Sequence, residues 1–199
     1  LPHISVDNIY IGNGVSELIQ MTTQALLNSG DEVLIPAPDY PLWTASVKLS
    51  GGKPVHYMCD EEQDWFPDIA DIRAKITDKT SAIIATHVFG NPCNLEAIQQ
   101  IADKHNLKVI YDAAHAFGVT YKGTSVFEFG DISTCSFHAT KIFHTGEGGA
   151  LFAKDNELRD KLFYHHNFGH DGPERFHGLG INAKLSELQA AMGLSVLPY

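Results

Sequence analysis

The segment CSFHATKIFHTGEGGAL, residues 135–151, decides how the rest of the sequence is interpreted. A run of strand-forming residues leads to Lys141, a glycine-rich turn follows at residues 146–149, and an apolar run then resumes. An isolated lysine is usually a surface residue. A lysine between a strand and a tight turn can instead direct its amine into a pocket and take part in chemistry. The two interpretations differ in what the neighbouring strand ends should carry.

On both sides of this segment, short apolar runs alternate with stretches of helical spacing. The predicted strands are residues 8–13, 32–36, 54–59, 81–89, 108–114, 133–139 and 149–153. The predicted helices are residues 15–30, 41–50, 67–76, 94–106, 156–166 and 183–194. Repeated strand–helix units predict a three-layer α/β fold, in which helices cover both faces of a mostly parallel sheet. In such a sheet, ligands bind at the carboxyl ends of the strands.

Composition excludes several classes of protein. The chain has 199 residues, of which 44% are hydrophobic, and this suits one globular domain. Its net charge of −10 argues against nucleic acid as a partner. No apolar run approaches the length of a membrane span. The three cysteines are far apart in the sequence and odd in number, so we expect a reducing, cytoplasmic compartment.

Two predicted strand ends carry residues suited to a ligand. Gly14, Val15 and Ser16 open a helix, and a helix start offers free amides and a positive dipole end to an anion. The same residues could simply form an ordinary helix start. Asp112 lies near the end of the strand 108–114, and the small residues after it would let a flat ring approach closely. It could equally cap a turn.

Taken together, these residues match the needs of one cofactor. Lys141 follows Asp112 by 29 residues, and Ser136 precedes the lysine by five. Pyridoxal phosphate needs its phosphate held, its pyridine nitrogen kept protonated by a carboxylate, and its aldehyde bound by a lysine as a Schiff base. The set therefore predicts a pyridoxal phosphate site with Lys141 and Asp112 as its catalytic residues.

A metal site is the other possibility that the composition raises. The chain has 11 histidines, several of them in residues 163–177. Their spacing matches no known ligand motif, and the cysteines do not complete one. We therefore predict no metal site.

Three motifs carry a family resemblance. In order and spacing, DAAHAFG (112–118), SFHATK (136–141) and GEGGAL (146–151) resemble fold-type I pyridoxal-phosphate aminotransferases, and more narrowly the DegT/DnrJ/EryC1/StrS sugar aminotransferases. The segment NFGHDGPERFHGLGINAKLSELQAAMGL (167–194) is similar to the branch that aminates nucleotide-linked 4-keto-6-deoxy sugars such as dTDP-4-keto-6-deoxyglucose. This resemblance covers residues 81–199 and implies the aspartate aminotransferase-like large domain.

The first 80 residues resemble a different branch. DNIYIGNGVSELI (7–19), LLNSGDEVLIPAPDYPLWTASVKLSGGKPVHY (26–57) and DWFPDIADIRAKIT (64–77) are similar to bacterial alanine and aspartate aminotransferases. The chain thus resembles a graft of two relatives, natural or engineered, with a seam near Thr80. We expect residues 1–199 to be a large domain excerpted from a longer polypeptide. The N-terminal segment and C-terminal small domain of full-length relatives are absent from it.

The resemblance implies a role for each residue around the cofactor ring. Lys141 would form the Schiff base, and Asp112 would pair with the pyridine nitrogen. His115 would lie beside the ring hydroxyl. Tyr40 would stack on the ring face opposite Ala114, as suits a flat heterocycle.

The resemblance also implies how the cofactor phosphate is held. Ser136 would contact it, together with the amides of Gly14, Val15 and Ser16. Sugar enzymes often have threonine at the position of Val15, so one hydroxyl contact is expected to be missing. Asn182 would reach the phosphate of the neighbouring subunit's cofactor, because these enzymes are homodimers with composite sites.

Three functions remain open at this point. The first is transfer of an amino group from an amino acid, expected to be glutamate, to a nucleotide-linked 4-keto-6-deoxy sugar. Sugar dehydratase relatives have histidine in place of the Schiff-base lysine, so Lys141 favours transamination. The second is an alanine-type amino-acid:2-oxo-acid transaminase, suggested by residues 1–80. The third is a non-catalytic hybrid or truncated scaffold.

Overall fold

The computed structural model describes residues 4–199, in which strands and helices alternate along the chain. The strands are β1 Ile9–Gly12, β2 Glu32–Ala37, β3 Lys53–Asp60, β4 Phe66–Pro67, β5 Thr80–Thr86, β6 Lys108–Asp112, β7 Thr120–Tyr121, β8 Thr124–Ser125, β9 Ile132–Ser136 and β10 Gly149–Ala153. The α-helices are α1 Val15–Leu26, α2 Pro41–Leu49, α3 Ile69–Lys75, α4 Leu95–His105, α5 Asn156–His166 and α6 Glu187–Val196.

Eight of these strands form one sheet, and its order is β1-β10-β9-β6-β5-β2-β3-β4. The five strands from β9 to β3 run parallel to one another. Strand β10 is antiparallel to both β9 and β1, and β4 is antiparallel to β3. The predicted α/β class with a mostly parallel sheet is therefore confirmed, and the antiparallel strands lie outside the parallel core.

Alternating side chains of the parallel strands build a core on each face of the sheet. Ile84 points to the face covered by α1, α2 and α5, where it joins Leu18, Trp43 and Leu162. The preceding residue, Ile83, points to the face covered by α3 and α4. Successive strand residues face opposite sides, so a continuous apolar run fills both cores at once.

Several element boundaries differ from the predicted ones. Helix α1 ends at Leu26 rather than at residue 30, because Leu27 adopts an extended conformation. Helix α6 begins at Glu187 rather than at residue 183, because Ser186 and Gln189 form a capping box that starts the helix there. Helix α3 begins after Asp68, whose carboxylate accepts hydrogen bonds from the amides of Ala70 and Asp71.

Four predicted strands end earlier than expected. Strands β1 and β6 end one and two residues early, and the larger differences in β5 and β9 affect the site. Strand β5 ends at Thr86 rather than at residue 89, and β9 ends at Ser136 rather than at residue 139. The loop after β9 is held by backbone hydrogen bonds from Phe137 to Gly148 and from Ala139 to Gly146. Lys141 therefore lies near the tip of a hairpin-like loop, beyond the end of its strand.

The predicted single domain of residues 1–199 includes three residues that lie outside the described part of the chain. Within residues 4–199, no helix combines the length and the apolarity needed to cross a bilayer.

Candidate active site

A cavity of about 370 Å³ opens at the carboxyl ends of β5, β6 and β9, beside the start of α1. We call it the main cavity. Nine of the ten predicted site residues line it: Gly14, Val15, Ser16, Tyr40, Asp112, Ala114, His115, Ser136 and Lys141. The tenth, Asn182, is exposed elsewhere and forms an isolated bridge with Asn167. Its predicted role concerns a neighbouring subunit and stays a prediction.

Asp112, at the end of β6, is the buried carboxylate of the main cavity. Its Oδ1 accepts a hydrogen bond from the amide of Ala114 at 3.1 Å, and its Oδ2 accepts one from the indole Nε1 of Trp43 at 2.7 Å. The pKa of Asp112 is raised overall, because burial outweighs the other effects. The Trp43 hydrogen bond, the Ala114 amide and the charge of Lys141 each act to lower it. Both hydrogen-bond donors are neutral. The site therefore favours a positive charge on any ligand atom that contacts this carboxylate.

Lys141 and His115 supply the basic groups around that carboxylate. Lys141 is half-buried, and its amide donates to the carbonyl of His138 at 2.9 Å, which forms the turn that carries it. The pKa of His115 is lowered by partial burial and by the charge of Lys141, although Asp112 opposes the shift. The His115 ring stacks on Phe89, with 5.8 Å between ring centroids. A neutral imidazole beside an amine thus forms one side of the cavity.

The start of α1 forms the anion-binding part of the cavity. Gly14 is the N-cap and has no side chain to occupy the first-turn amides. Strand β10 packs directly beneath this turn, since a Cβ atom on Gly149 would lie 2.7 Å from the amide nitrogen of Val15. The Ser136 hydroxyl lines the same cavity. Free amides, a dipole end and a hydroxyl together suit a phosphate group.

Tyr40 provides a flat wall of the cavity. It is the N-cap of α2, its ring is about half exposed, and Pro41 starts the helix behind it. Ala114 lines the cavity as well and carries only a methyl group. An exposed aromatic ring and a small residue on the walls of one cavity are suited to holding a planar heterocycle between them.

The donor set of the main cavity fits pyridoxal phosphate. A buried carboxylate without a charged hydrogen-bond donor suits a protonated pyridine nitrogen. The lysine amine suits an aldehyde, and the start of α1 suits a phosphate. Among residues 4–199, no three histidine, cysteine or carboxylate side chains group together as metal ligands would.

Sequence reasoning missed five residues that line the main cavity: Thr86, His87, His138, Glu147 and Gly148. Thr86 and His87 lie at the carboxyl end of β5, but the predicted strand ran on to residue 89 and concealed that position. The side chain of Trp43 was also missed. Nothing in the sequence connects its indole to a strand end 69 residues later.

Comparison with known proteins places the chain in a family. The model of the DegT/DnrJ/EryC1/StrS aminotransferase family matches residues 8–199. The dTDP-4-amino-4,6-dideoxy-D-glucose transaminase of Shigella dysenteriae is 40% identical over 196 residues, covering 98% of this chain and 53% of that protein. The crystal structure of NtdA from Bacillus subtilis with bound cofactor PMP superposes with a TM-score of 0.87 at 31% identity. That match covers 96% of this chain and 44% of NtdA.

A second kind of relative matches a smaller part of the chain. The glutamate-pyruvate aminotransferase AlaA of Escherichia coli K12 is 55% identical over 127 residues, covering 56% of this chain and 31% of that enzyme. The matches span between 27% and 53% of the length of these curated relatives. Both kinds of relative that the sequence resembles are therefore found. The match to the dTDP-sugar transaminase covers 98% of the chain and is not confined to residues 81–199. The seam near Thr80 stays a prediction.

Proposed function

Because the chain belongs to the DegT/DnrJ/EryC1/StrS aminotransferase family, we propose that it is the cofactor-binding part of a pyridoxal-phosphate-dependent aminotransferase. The proposed reaction moves an amino group from an amino acid, expected to be glutamate, to a nucleotide-linked 4-keto-6-deoxy sugar. One observation carries the proposal. A buried carboxylate, a lysine amine and an uncapped helix start line the same cavity.

Residues on three sides of the main cavity would hold the cofactor. The amides of Val15 and Ser16 and the hydroxyl of Ser136 would bind its phosphate. Tyr40 and Ala114 would contact the ring on its two faces. Val15, Ser16 and Ser136 belong to the ends of α1 and β9, and Tyr40 and Ala114 lie within two residues of the end of an element. Sites supported in this way hold geometry better than sites on free loops.

The other residues would place the charges and move the proton. Pyridoxal phosphate supplies an electron sink that makes the proton on the carbon next to the amino nitrogen acidic. The Asp112 carboxylate would keep a proton on the pyridine nitrogen, because a buried carboxylate with only neutral donors stabilises a positive charge beside it. The Nζ atom of Lys141 would take up the substrate proton and return it. His115 would lie beside the ring hydroxyl.

A second candidate function is favoured by the match to AlaA. In this alternative, the chain would be part of an alanine-type transaminase that acts on glutamate and pyruvate, as that relative's name states. The cofactor contacts would be the same in both cases. The candidates differ only in the acceptor that enters above Lys141.

We base the assembly of the whole enzyme on the same family membership. The whole enzyme would be a homodimer in which Asn182 reaches the neighbouring subunit's cofactor phosphate, and a small domain would complete the substrate site. A cytoplasmic location is supported by the three cysteines, all of which are buried and unpaired.

The test uses the chain with added pyridoxal phosphate. Borohydride should fix the cofactor covalently on Lys141, and Lys141→Arg, which keeps the charge but lacks the reactive amine, should give no adduct. Half-reactions are then measured with glutamate as donor and with pyruvate or a dTDP-linked 4-keto-6-deoxyglucose as acceptor. Amination of the sugar supports the first candidate, and amination of pyruvate alone supports the second. Identical adducts in the wild-type chain and the variant would contradict the site assignment.

A further inference from the structure

The contact between Trp43 and Asp112 joins two distant parts of the chain inside the core. Trp43 lies in the first turn of α2 and has no solvent exposure. Its side chain packs among the apolar residues of α1 and the strands, and its one polar atom, Nε1, donates to Asp112 Oδ2 at 2.7 Å. A buried indole N–H normally finds a partner. Here that partner is the carboxylate assigned to the cofactor's ring nitrogen.

The start of α2 brings two aromatic side chains to the site, those of Tyr40 and Trp43. Tyr40, its N-cap, lines the main cavity with a half-exposed ring. Trp43, three residues later, points into the core beneath the cavity. Residues three apart lie on one side of a helix. A single helix start therefore supplies both a wall of the cavity and the support behind its carboxylate.

We propose that Trp43 is a positioning residue that fixes the Asp112 carboxylate for the cofactor's pyridine nitrogen. The inference rests on the proposed function, because it assumes that this carboxylate meets a cofactor. The indole holds Oδ2 while the Ala114 amide holds Oδ1, so neither oxygen is free to turn away from the cavity. A carboxylate can accept about four hydrogen bonds, and capacity therefore remains for a ligand N–H.

The chemical identity of the donor matters as much as its position. An indole N–H carries no charge, unlike a lysine or arginine donor. It also does not titrate in water, unlike a histidine donor. It therefore orients the carboxylate without neutralising it. The negative charge stays available to the ligand, and the hydrogen bond persists across the pH range in which the enzyme could work.

The test compares Trp43→Phe with Trp65→Phe. These are the two tryptophans of the chain, and the same chemical change is made at each. Trp65 lines a different cavity and is not one of the two hydrogen-bond donors to the Asp112 carboxylate. We expect Trp43→Phe to weaken pyridoxal phosphate binding about tenfold, the effect of losing one hydrogen bond to a charged group. Trp65→Phe should change the affinity less than twofold.

A double-mutant cycle separates positioning from packing. In the Asp112→Asn background, the charge that Trp43 positions is gone, so Trp43→Phe should weaken binding no more than about twofold. An equal loss of affinity in both backgrounds would show that the indole only fills space, and the proposal would be wrong. Unchanged affinity of Trp43→Phe, with the wild-type chain binding normally, would also overturn it.

A second measurement needs neither the cofactor nor a stable Trp43 variant. In the cofactor-free chain, the indole N–H resonance of Trp43 should lie downfield and move upfield in Asp112→Asn, while that of Trp65 stays in place. No movement would overturn the proposed contact. If the wild-type chain shows this response but takes up no pyridoxal phosphate, the proposed function fails and the Trp43–Asp112 contact remains established.

Discussion

The two parts of the chain on either side of Thr80 contribute different kinds of contact to the main cavity. Residues 4–80 supply backbone amides at residues 14–16 and the rings of Tyr40 and Trp43. Residues 81–199 supply the charged side chains that line the cavity, Asp112 and Lys141 among them. The first part therefore lines the cavity with backbone amides and an aromatic ring, and the second part supplies its carboxylates and its amine.

The sheet shows why the two parts cannot be separated. Strand β1 belongs to the first part, yet it pairs only with β10 of the second. Strands β2 and β3 join the sheet through β5. The first part thus occupies both sides of a central block made by the second. Changes in the charge of the cavity and changes in its packing should therefore have effects of different size. Three variants measure these effects on turnover and on the free energy of unfolding.

The largest effect is expected from Asp112→Asn, which removes the charge contributed by the second part and keeps the shape. Turnover should fall on the order of 10²–10³-fold, the range typical of losing one charge-stabilising group in an active site. Cofactor binding should be partly retained, because the contacts of α1 and Tyr40 remain. Steady-state kinetics and cofactor titration measure the two effects. Asp103→Asn, on the exposed side of α4, is the matched control, and near-normal turnover in Asp112→Asn would contradict the assigned role.

A smaller effect is expected from Gly149→Ala. The added methyl group would push β10 away from the start of α1 without changing any charge. The added methyl would lie 2.7 Å from the Val15 nitrogen and 3.0 Å from the Cys135 oxygen, both of them backbone atoms. We expect a loss of about 1–3 kcal/mol in the free energy of unfolding, as for other overpacked sites. Urea denaturation measures it. Gly178→Ala, where the added methyl meets open space, should be nearly neutral; equal losses in both variants would argue against this contact.

The smallest effect concerns the pH dependence of stability. His87 is fully buried and stacks on Tyr111, and burial lowers its pKa from 6.5 to about 4. As the pH falls from about 6.5 to 4, the unfolded chain binds a proton that the folded chain does not, so the folded state should lose about 1 kcal/mol per pH unit.

The variant His87→Phe keeps an aromatic ring against Tyr111 and removes the titrating group. Urea denaturation at pH 6.5 and pH 5.5 should therefore give a smaller difference in the variant than in the wild-type chain. Asp112 acts in the opposite direction, because its raised pKa favours the folded state on acidification. Equal slopes in His87→Phe and wild type would show that His87 does not titrate as expected.

Local sequence patterns predicted the parallel core and six of the residues that line the cavity, while Tyr40, Ala114 and His115 came from the family resemblance. Continuous apolar runs such as residues 82–85 fix both faces of a buried strand, and the site residues follow such runs closely. The direction of β10 was not predictable in the same way. No helix connects it to β9, and its reversal depends on the hydrogen bonds of the intervening loop, such as that from Phe137 to Gly148.

Contacts that depend on the order of strands were the ones the sequence concealed. Trp43 meets Asp112 because α2 packs on the sheet face where β6 ends, and that position exists only after β2, β5 and β6 have aligned. His87 was hidden because the apolar residues 88 and 89 extended the predicted strand beyond Thr86. Phe89 instead adopts a left-handed conformation with φ of 51° and is largely exposed.

The pairing of β1 with β10 also sets an order of events during synthesis. The side-chain amide of Asn8 donates to the carbonyl of Ala153, across 145 residues of sequence. The start of α1 is translated well before β10, the strand that packs beneath it. Contacts this distant in sequence form late and slowly. The turn at residues 14–16 must therefore wait, after its own synthesis, for a strand that comes much later in the chain.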